Sequence, residues 1–259
     1  MSWTERQRAM LAEMGVRLWT APRPEHIQVE VRAPVPPAQR GQGAATATTE
    51  PVARTVSPVR GDRPTGVESM DWPALREAVA NCRACKLCEG RRQTVFGVGN
   101  TGAHWMVVGE APGEQEDRQG EPFVGKSGQL LDNMLRAIGL TRAEADAAHQ
   151  VYIANTIKCR PPGNRNPEPE ELAQCEPFLI RQVELVKPRI ILAMGRFAVQ
   201  SLLRSNEAIG KLRGRVHRYQ GVPLIVTYHP AYLLRNLDDK AKAWEDLCLA
   251  MQTMRSASP

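Results

Sequence analysis

Cysteines from distant stretches of this chain can meet at one inorganic centre. Cys82 and Cys85 form a C-x2-C pair, 73 residues separate Cys85 from Cys159, and 15 separate Cys159 from Cys175. Four thiolates in such a pattern fit a 4Fe–4S cluster or a structural zinc ion. The second pair is spaced more loosely than the C-x2-C that zinc ribbons prefer, which favours iron. Cys88 extends the first pair to C-x2-C-x2-C, so one of these three is surplus to a four-ligand centre. Cys248 sits in a helical pattern beside Trp244, Leu247 and Met251, where a buried core thiol is expected.

Two glycine-rich patterns suggest nucleotide chemistry without supporting it. Gly97-Val-Gly99-Asn-Thr-Gly102 matches G-x-G-x-x-G, but it precedes an apolar strand, whereas a dinucleotide fingerprint follows one. Gly120-Glu-Pro-Phe-Val-Gly125-Lys126-Ser127 matches the full P-loop pattern, and a helical segment follows. Upstream, Glu114–Gln119 is too polar for the buried strand a P-loop requires, and Pro122 and Phe123 stiffen a loop that should wrap phosphate. Neither Val151–Ala154 nor Arg189–Met194 ends in an Asp that could hold magnesium. A helix N-terminus carrying Lys126 and Ser127 still suits an anion, and a DNA phosphate would satisfy it.

These residues need a scaffold, and from Met70 onward the pattern supplies one. His104–Gly109, Val151–Ala154, Arg189–Met194 and Val222–Thr227 are short apolar runs that read as buried strands, with a possible edge strand near Arg215–Tyr219. Ser127–Ile138, Glu168–Val186, Phe197–Leu203 and Asp238–Met254 read as helices, the second bracketed by Pro167, Pro169 and Pro188. Alternation of this kind predicts an α/β fold: a three-layer α/β/α sandwich around a mostly parallel four-stranded sheet. Ligands of such sheets bind beyond the carboxyl ends of the strands, so the loops after Gly109, Ala154, Met194 and Thr227 should share one rim.

Composition divides the 259 residues unevenly. Residues 21–69 carry eight of the 20 prolines and almost no aromatics, which reads as a linker too poor in apolar surface to fold. Residues 1–20 include Met10, Leu11, Met14 and Leu18 on one helical stripe, so a short helix is expected there, with the folded domain spanning 70–259. The net charge of +6 favours a polyanionic partner through counterion release. No apolar run approaches the ~20 residues of a membrane span. The N-terminus lacks a signal-peptide pattern, so a reducing cytoplasm is expected, where cysteines serve as ligands more than as disulfides.

Gly109-Glu-Ala-Pro-Gly-Glu-Gln-Glu-Asp117, Phe123-Val-Gly-Lys-Ser-Gly128, Asn155 through Lys158-Cys-Arg-Pro-Pro162, and His229-Pro-Ala-Tyr-Leu-Leu-Arg235 together resemble the family 4 uracil-DNA glycosylases. The match holds in order and spacing from about Cys82 to Arg235. The resemblance implies a uracil-DNA glycosylase fold, a 4Fe–4S cluster on Cys82, Cys85, Cys159 and Cys175, and excision of uracil from DNA in base excision repair. In the family pattern Cys88 is not a ligand. The implied partner is uracil-containing DNA, single- or double-stranded, handled by a monomer without a membrane, in the cytoplasm and close to the nucleoid.

Excision requires the base to be extruded, read along its edge and stabilised as it leaves as an anion. Phe123 is expected to stack on the flipped ring, with Ala111 beside it in the uracil pocket. Asn155 offers both a donor and an acceptor, matching uracil O4 and N3–H. His229 is placed to donate a hydrogen bond to the O2 that gains charge. In the best-known uracil glycosylases the position of Ala111 is an Asp that polarises water. Glu110 is therefore the candidate for orienting water or stabilising the sugar cation, ahead of Glu116 and Asp117. Tyr232, Leu233, Leu234 and Arg235 suggest an apolar wedge and a phosphate contact. Lys158, Arg160 and Arg165 are expected to present positive charge beside the cluster. A non-catalytic DNA-binding module is the rival reading, and a pocket shaped for uracil argues against it.

Overall fold

Residues 63–256 are described in the structure, a computed structural model. The expected helix in 1–20 and most of the expected linker lie outside these residues. Val67–Ser69 form a single helical turn, and Val67 is buried with Leu75, Val79, Phe96 and Phe178. Among the described residues, packing therefore already includes Val67, ahead of the boundary expected at Met70. Asp71 then caps helix α1 (Trp72–Asn81) by accepting from the Ala74 N–H at 3.0 Å. Cys82 follows as its C-cap, and a short helix α2 (Leu87–Gly90) carries Cys88.

The centre is a six-stranded sheet in the order β1-β3-β2-β4-β6-β5, where four strands were expected. Strands β2 (Trp105–Gly109), β3 (Tyr152–Asn155), β4 (Ile190–Met194) and β6 (Val222–Thr227) are mutually parallel, as the apolar runs predict. The two additions are antiparallel edges. One, β1 (Val98–Gly99), lies inside the G-x-G-x-x-G pattern and is too short and glycine-rich to show hydrophobic alternation. The other, β5 (Val216–Tyr219), is the anticipated edge strand, joined to β6 through Gln220 and Gly221. Both turn residues have positive φ, 47° and 85°, as a tight two-residue hairpin requires.

Successive residues of the parallel strands point to opposite faces and feed two cores. Met106, Val108, Ile191, Ala193, Leu224 and Val226 pack under α5 (Pro169–Val186) and α6 (Arg196–Leu203). Trp105, Val107, Leu192, Met194 and Ile225 pack under α4 (Lys126–Ala137) and α9 (Asp239–Ser256). This is the three-layer sandwich that was expected. Three short α-helices, α3 (Glu114–Gln119), α7 (Ile209–Leu212) and α8 (Pro230–Leu233), and a single helical turn at Pro162–Asn164 complete the described chain. Among the described residues, no helix is long and apolar enough to cross a membrane. Cys248 is half-buried on α9, less enclosed than its neighbours suggest.

Register fixes the functional rim. Gly109 pairs with Asn155, and Met194 pairs with Thr227, so the carboxyl ends of the parallel strands finish level with one another. The first turn of α4 is drawn tight against the preceding loop. A Cβ at Gly128 would lie 1.7 Å from the Phe123 carbonyl oxygen. Gly128→Ala is therefore expected to force that loop outward, costing about 1–3 kcal/mol. Calorimetry should register it as a melting temperature lowered by roughly 2–12 °C; an unchanged melt would mean that the loop yields freely.

Candidate active site

At the rim, a cavity of about 770 Å³ opens between the loops that follow β2, β3, β4 and β6. Glu110, Ala111, Phe123, Asn155 and His229, drawn from four separate segments of sequence, all line it. The pairing of Gly109 with Asn155 brings the first and third of these segments together. Glycine is required here for space, because a Cβ at 109 would lie 2.5 Å from both Asn155 Oδ1 and Phe123 Cζ.

The loop bearing Phe123 is held by one carboxylate. Glu116 Oε1 accepts from the N–H groups of Val124 and Gly125 at 3.0 and 3.2 Å, and Oε2 accepts from the Gly113 N–H at 3.1 Å. Glu116 thus occupies the backbone donors that a P-loop would turn toward a phosphate, and it serves the loop instead of water. Asp117 is also structural: it is buried and accepts from the Arg92 N–H with both oxygens, at 3.0 and 3.2 Å. The loop forces Phe123 into a left-handed backbone, φ 56°, a strained state for a residue with a side chain. Its ring is buried and lies 5.3 Å from the His229 ring, nearly parallel at 27°.

Asn155 is 2% exposed, and its Oδ1 has no hydrogen-bond partner among the described residues. An orphaned buried acceptor costs about 1–3 kcal/mol, so it stands ready for a donor from a ligand. His229 offers the complementary group. Its Nδ1 accepts from the Ala231 N–H at 3.1 Å, which assigns the proton of the neutral ring to Nε2. Burial, assisted by the nearby Arg235, pushes its pKa down to about 4, so the ring is an uncharged donor at neutral pH. The same burial acts oppositely on Glu110, raising its pKa to about 7 against the pull of Arg196.

The DNA-facing expectations are partly redrawn. Ser127, Tyr232 and Arg235 line the cavity, and Lys126 is exposed at the start of α4. Leu233 is 1% exposed and belongs to the interior, because α8 packs against α4; it is not a wedge. The exposed apolar side chains are Leu234 at 41% and Leu237 at 63%. Sequence reasoning missed Arg196, the first residue of α6, although the position after β4 was already marked as rim. It also missed Tyr228, whose ring stacks on Tyr232 at 5.1 Å and 16° while the Tyr232 hydroxyl donates to Asp239 at 2.7 Å. Adjacency to His229 was the available signal.

Cys82, Cys85, Cys88, Cys159 and Cys175 line a second, much smaller recess. Arg91 Nη1 donates to Cys159 Sγ at 3.0 Å, and the Lys158 N–H donates to Cys175 Sγ at 3.3 Å. Burial pushes the Cys85 thiol up to about 11 and the Cys175 thiol up to about 12, so neither ionises readily without a cation beside it. Among the described residues, no three metal-ligating side chains converge on a single-ion position. Of the three residues expected to present positive charge there, Lys158 is buried, whereas Arg165 and Arg160 are partly exposed and paired, Arg165 with Glu171 by bonds of 2.9 and 2.6 Å and Arg160 with Asn164.

The family model described as the uracil DNA glycosylase superfamily matches residues 96–248. A type-4 uracil-DNA glycosylase of Archaeoglobus fulgidus is 43% identical over 176 residues, covering 65% of this chain and 84% of the relative. One from Thermotoga maritima is 42% identical over 170 residues, covering 65% and 85%. One from Pyrobaculum aerophilum is 40% identical over 190 residues, covering 70% and 93%.

The raised Glu110 pKa has a consequence for stability. The folded chain holds that proton more tightly than the unfolded chain, so the stabilisation is complete below the ordinary glutamate pKa and is lost as pH rises toward about 7. Glu110→Gln removes this dependence. The variant is expected to melt with the wild type near pH 4.5 and above it at pH 8; an equal difference at both values would contradict the assignment.

Proposed function

The chain belongs to the type-4 branch of the uracil-DNA glycosylase superfamily, and on that premise we propose that its rim cavity receives uracil flipped out of DNA and hydrolyses the N-glycosidic bond, leaving an abasic site for base excision repair. The observation that carries the reading is the orphaned Oδ1 of Asn155, buried in a cavity that also holds the neutral, Nε2-protonated ring of His229. Uracil supplies what that pair lacks: N3–H donates to Asn155 Oδ1, O4 accepts from its amide nitrogen, and O2 accepts from His229. Cytosine presents an acceptor at N3 and an amino group at C4, leaving the Asn155 amide mismatched at both positions.

Phe123 stacks on the extruded ring, and Ala111 leaves space beside it. As the C1′–N1 bond breaks, its electron pair passes onto the uracil ring and spreads to O2. There the His229 N–H stabilises it without giving up a charge of its own. Water attacks C1′, and the proton it sheds balances the uracil anion. Glu110, ionised above about pH 7, orients that water or faces the positive sugar. Arg235, Lys126 and Ser127 meet DNA phosphates. Tyr232 and the exposed Leu234 fill the gap left by the flipped nucleotide. The substrate is uracil in single- or double-stranded DNA, and the protein acts on it as a monomer. Its place would be the cytoplasm, near nucleoid DNA.

We assign Cys82, Cys85, Cys159 and Cys175 as the holders of a 4Fe–4S cluster. The recess suits such a group: thiols from three parts of the chain line it, and N–H groups already point at two of the sulfurs. When bound, the cluster would supply a covalent tie joining the segment after α1, the loop after β3 and α5.

The deciding assay incubates the iron-loaded protein with a uracil-containing single-stranded oligonucleotide and follows with alkaline cleavage. A break at the uracil is expected, with kcat lowered about 10²–10³-fold by His229→Ala; an intact oligonucleotide would refute the enzymatic reading. For the cluster, Cys85→Ala should lose iron while Cys88→Ala retains it, as measured by metal analysis of purified protein. Iron retained in the first or lost in the second would change the ligand set.

A further inference from the structure

Lys158 is 1% exposed, yet among the described residues it forms no ion pair with a carboxylate. Its ammonium donates to the Asn155 carbonyl oxygen at 2.8 Å and to Gln182 Oε1 at 2.6 Å. Sealing an ammonium against two neutral acceptors costs more than sealing a methionine of similar length. Packing alone therefore gives no reason for a lysine here; the two directed bonds do, together with the negative charge that Cys175 and Cys159 beside it would carry as ligands.

Those bonds join two sites. Gln182 is fully buried on α5, and its amide nitrogen donates to the Phe96 carbonyl at 2.9 Å and the Tyr152 hydroxyl at 3.0 Å, which fixes its oxygen toward Lys158. Seven residues earlier, on the same face of α5, stands Cys175. The backbone N–H of Lys158 donates to that sulfur at 3.3 Å. Lys158 thus touches the cysteine recess with its backbone and the residue that lines the base pocket with its side chain. The tie lands on the carbonyl of Asn155, so the side-chain amide is aimed from a backbone held in place.

We infer that Lys158 and Gln182 are positioning residues for base recognition: a buried strut through which the cysteine centre holds the Asn155 amide in register with uracil. The inference rests on the reading of Asn155 as the group that reads uracil. Neither strut residue touches the base. Removing the strut leaves the DNA-facing surface intact and loosens one amide.

The test uses the full, iron-loaded chain as wild type, Lys158→Met and Gln182→Met. Calorimetric titration is run with free uracil and with a single-stranded oligonucleotide carrying a tetrahydrofuran abasic analogue. Iron content is measured in parallel. The expected result is uracil affinity reduced at least about tenfold, with oligonucleotide affinity and iron content within about twofold of wild type. Should Lys158→Met fail to fold, Gln182→Met alone is read against the same thresholds, since it leaves the lysine in place. Uracil affinity unchanged in the folded variants overturns the strut, and so does a parallel loss of uracil and oligonucleotide binding, which would mark a general structural role. A wild-type chain that binds no uracil and leaves uracil-DNA uncut would instead remove the functional reading, and the strut with it.

Discussion

Everything at the rim depends on parallel strands that end at the same height. Backbone pairing carries Gly109 to the level of Asn155, and Met194 to that of Thr227. Residues far apart in sequence thereby leave the sheet at one edge and face one another across a single cavity. The missing side chain at Gly109 then lets Asn155 and the Phe123 ring approach to a spacing no other residue would permit. Glu116 completes the arrangement by tying down the loop that delivers the ring. The cavity is a product of register and close approach, and its chemistry follows from who is brought to it.

Burial then divides the titratable groups into roles. The same loss of solvent that strips His229 of its proton gives Glu110 a stronger hold on one. An uncharged imidazole is a donor that need not surrender a cation when the leaving base takes up charge, and a carboxyl group poised near neutrality can serve as either form. Two groups pushed apart by one environment is a pattern expected where proton traffic is managed.

Much of this was legible in the chain. The runs at β2, β4 and β6 are apolar without alternation, because helices cover both faces, and that continuity is a strong signal. Asn155 and His229 were legible because each ends or follows a strand on the predicted rim, and Phe123 because it stands in the glycine-rich stretch ahead of α4. Other features depend on contacts between distant residues, which periodicity cannot report. Strand β1 is two residues long and leans on β3 for its existence. Leu233 lies in a stretch that looks like a surface wedge until α4 is seen to cover it. Lys158 sits among basic residues and reads as surface charge; only the fold reveals that Gln182, 24 positions away, was waiting for it.

The carboxylate of Glu116 has one more consequence. A loop whose sequence spells a nucleotide-binding signature would ordinarily be exposed to competition from the millimolar ATP of a living cell. Here the amide groups are already engaged by an anion attached to the same chain, at an effective concentration that a diffusing metabolite does not match. The stretch thus keeps only the spelling of a phosphate cradle, and its Val124 and Gly125 donors are spent on the loop's own fold.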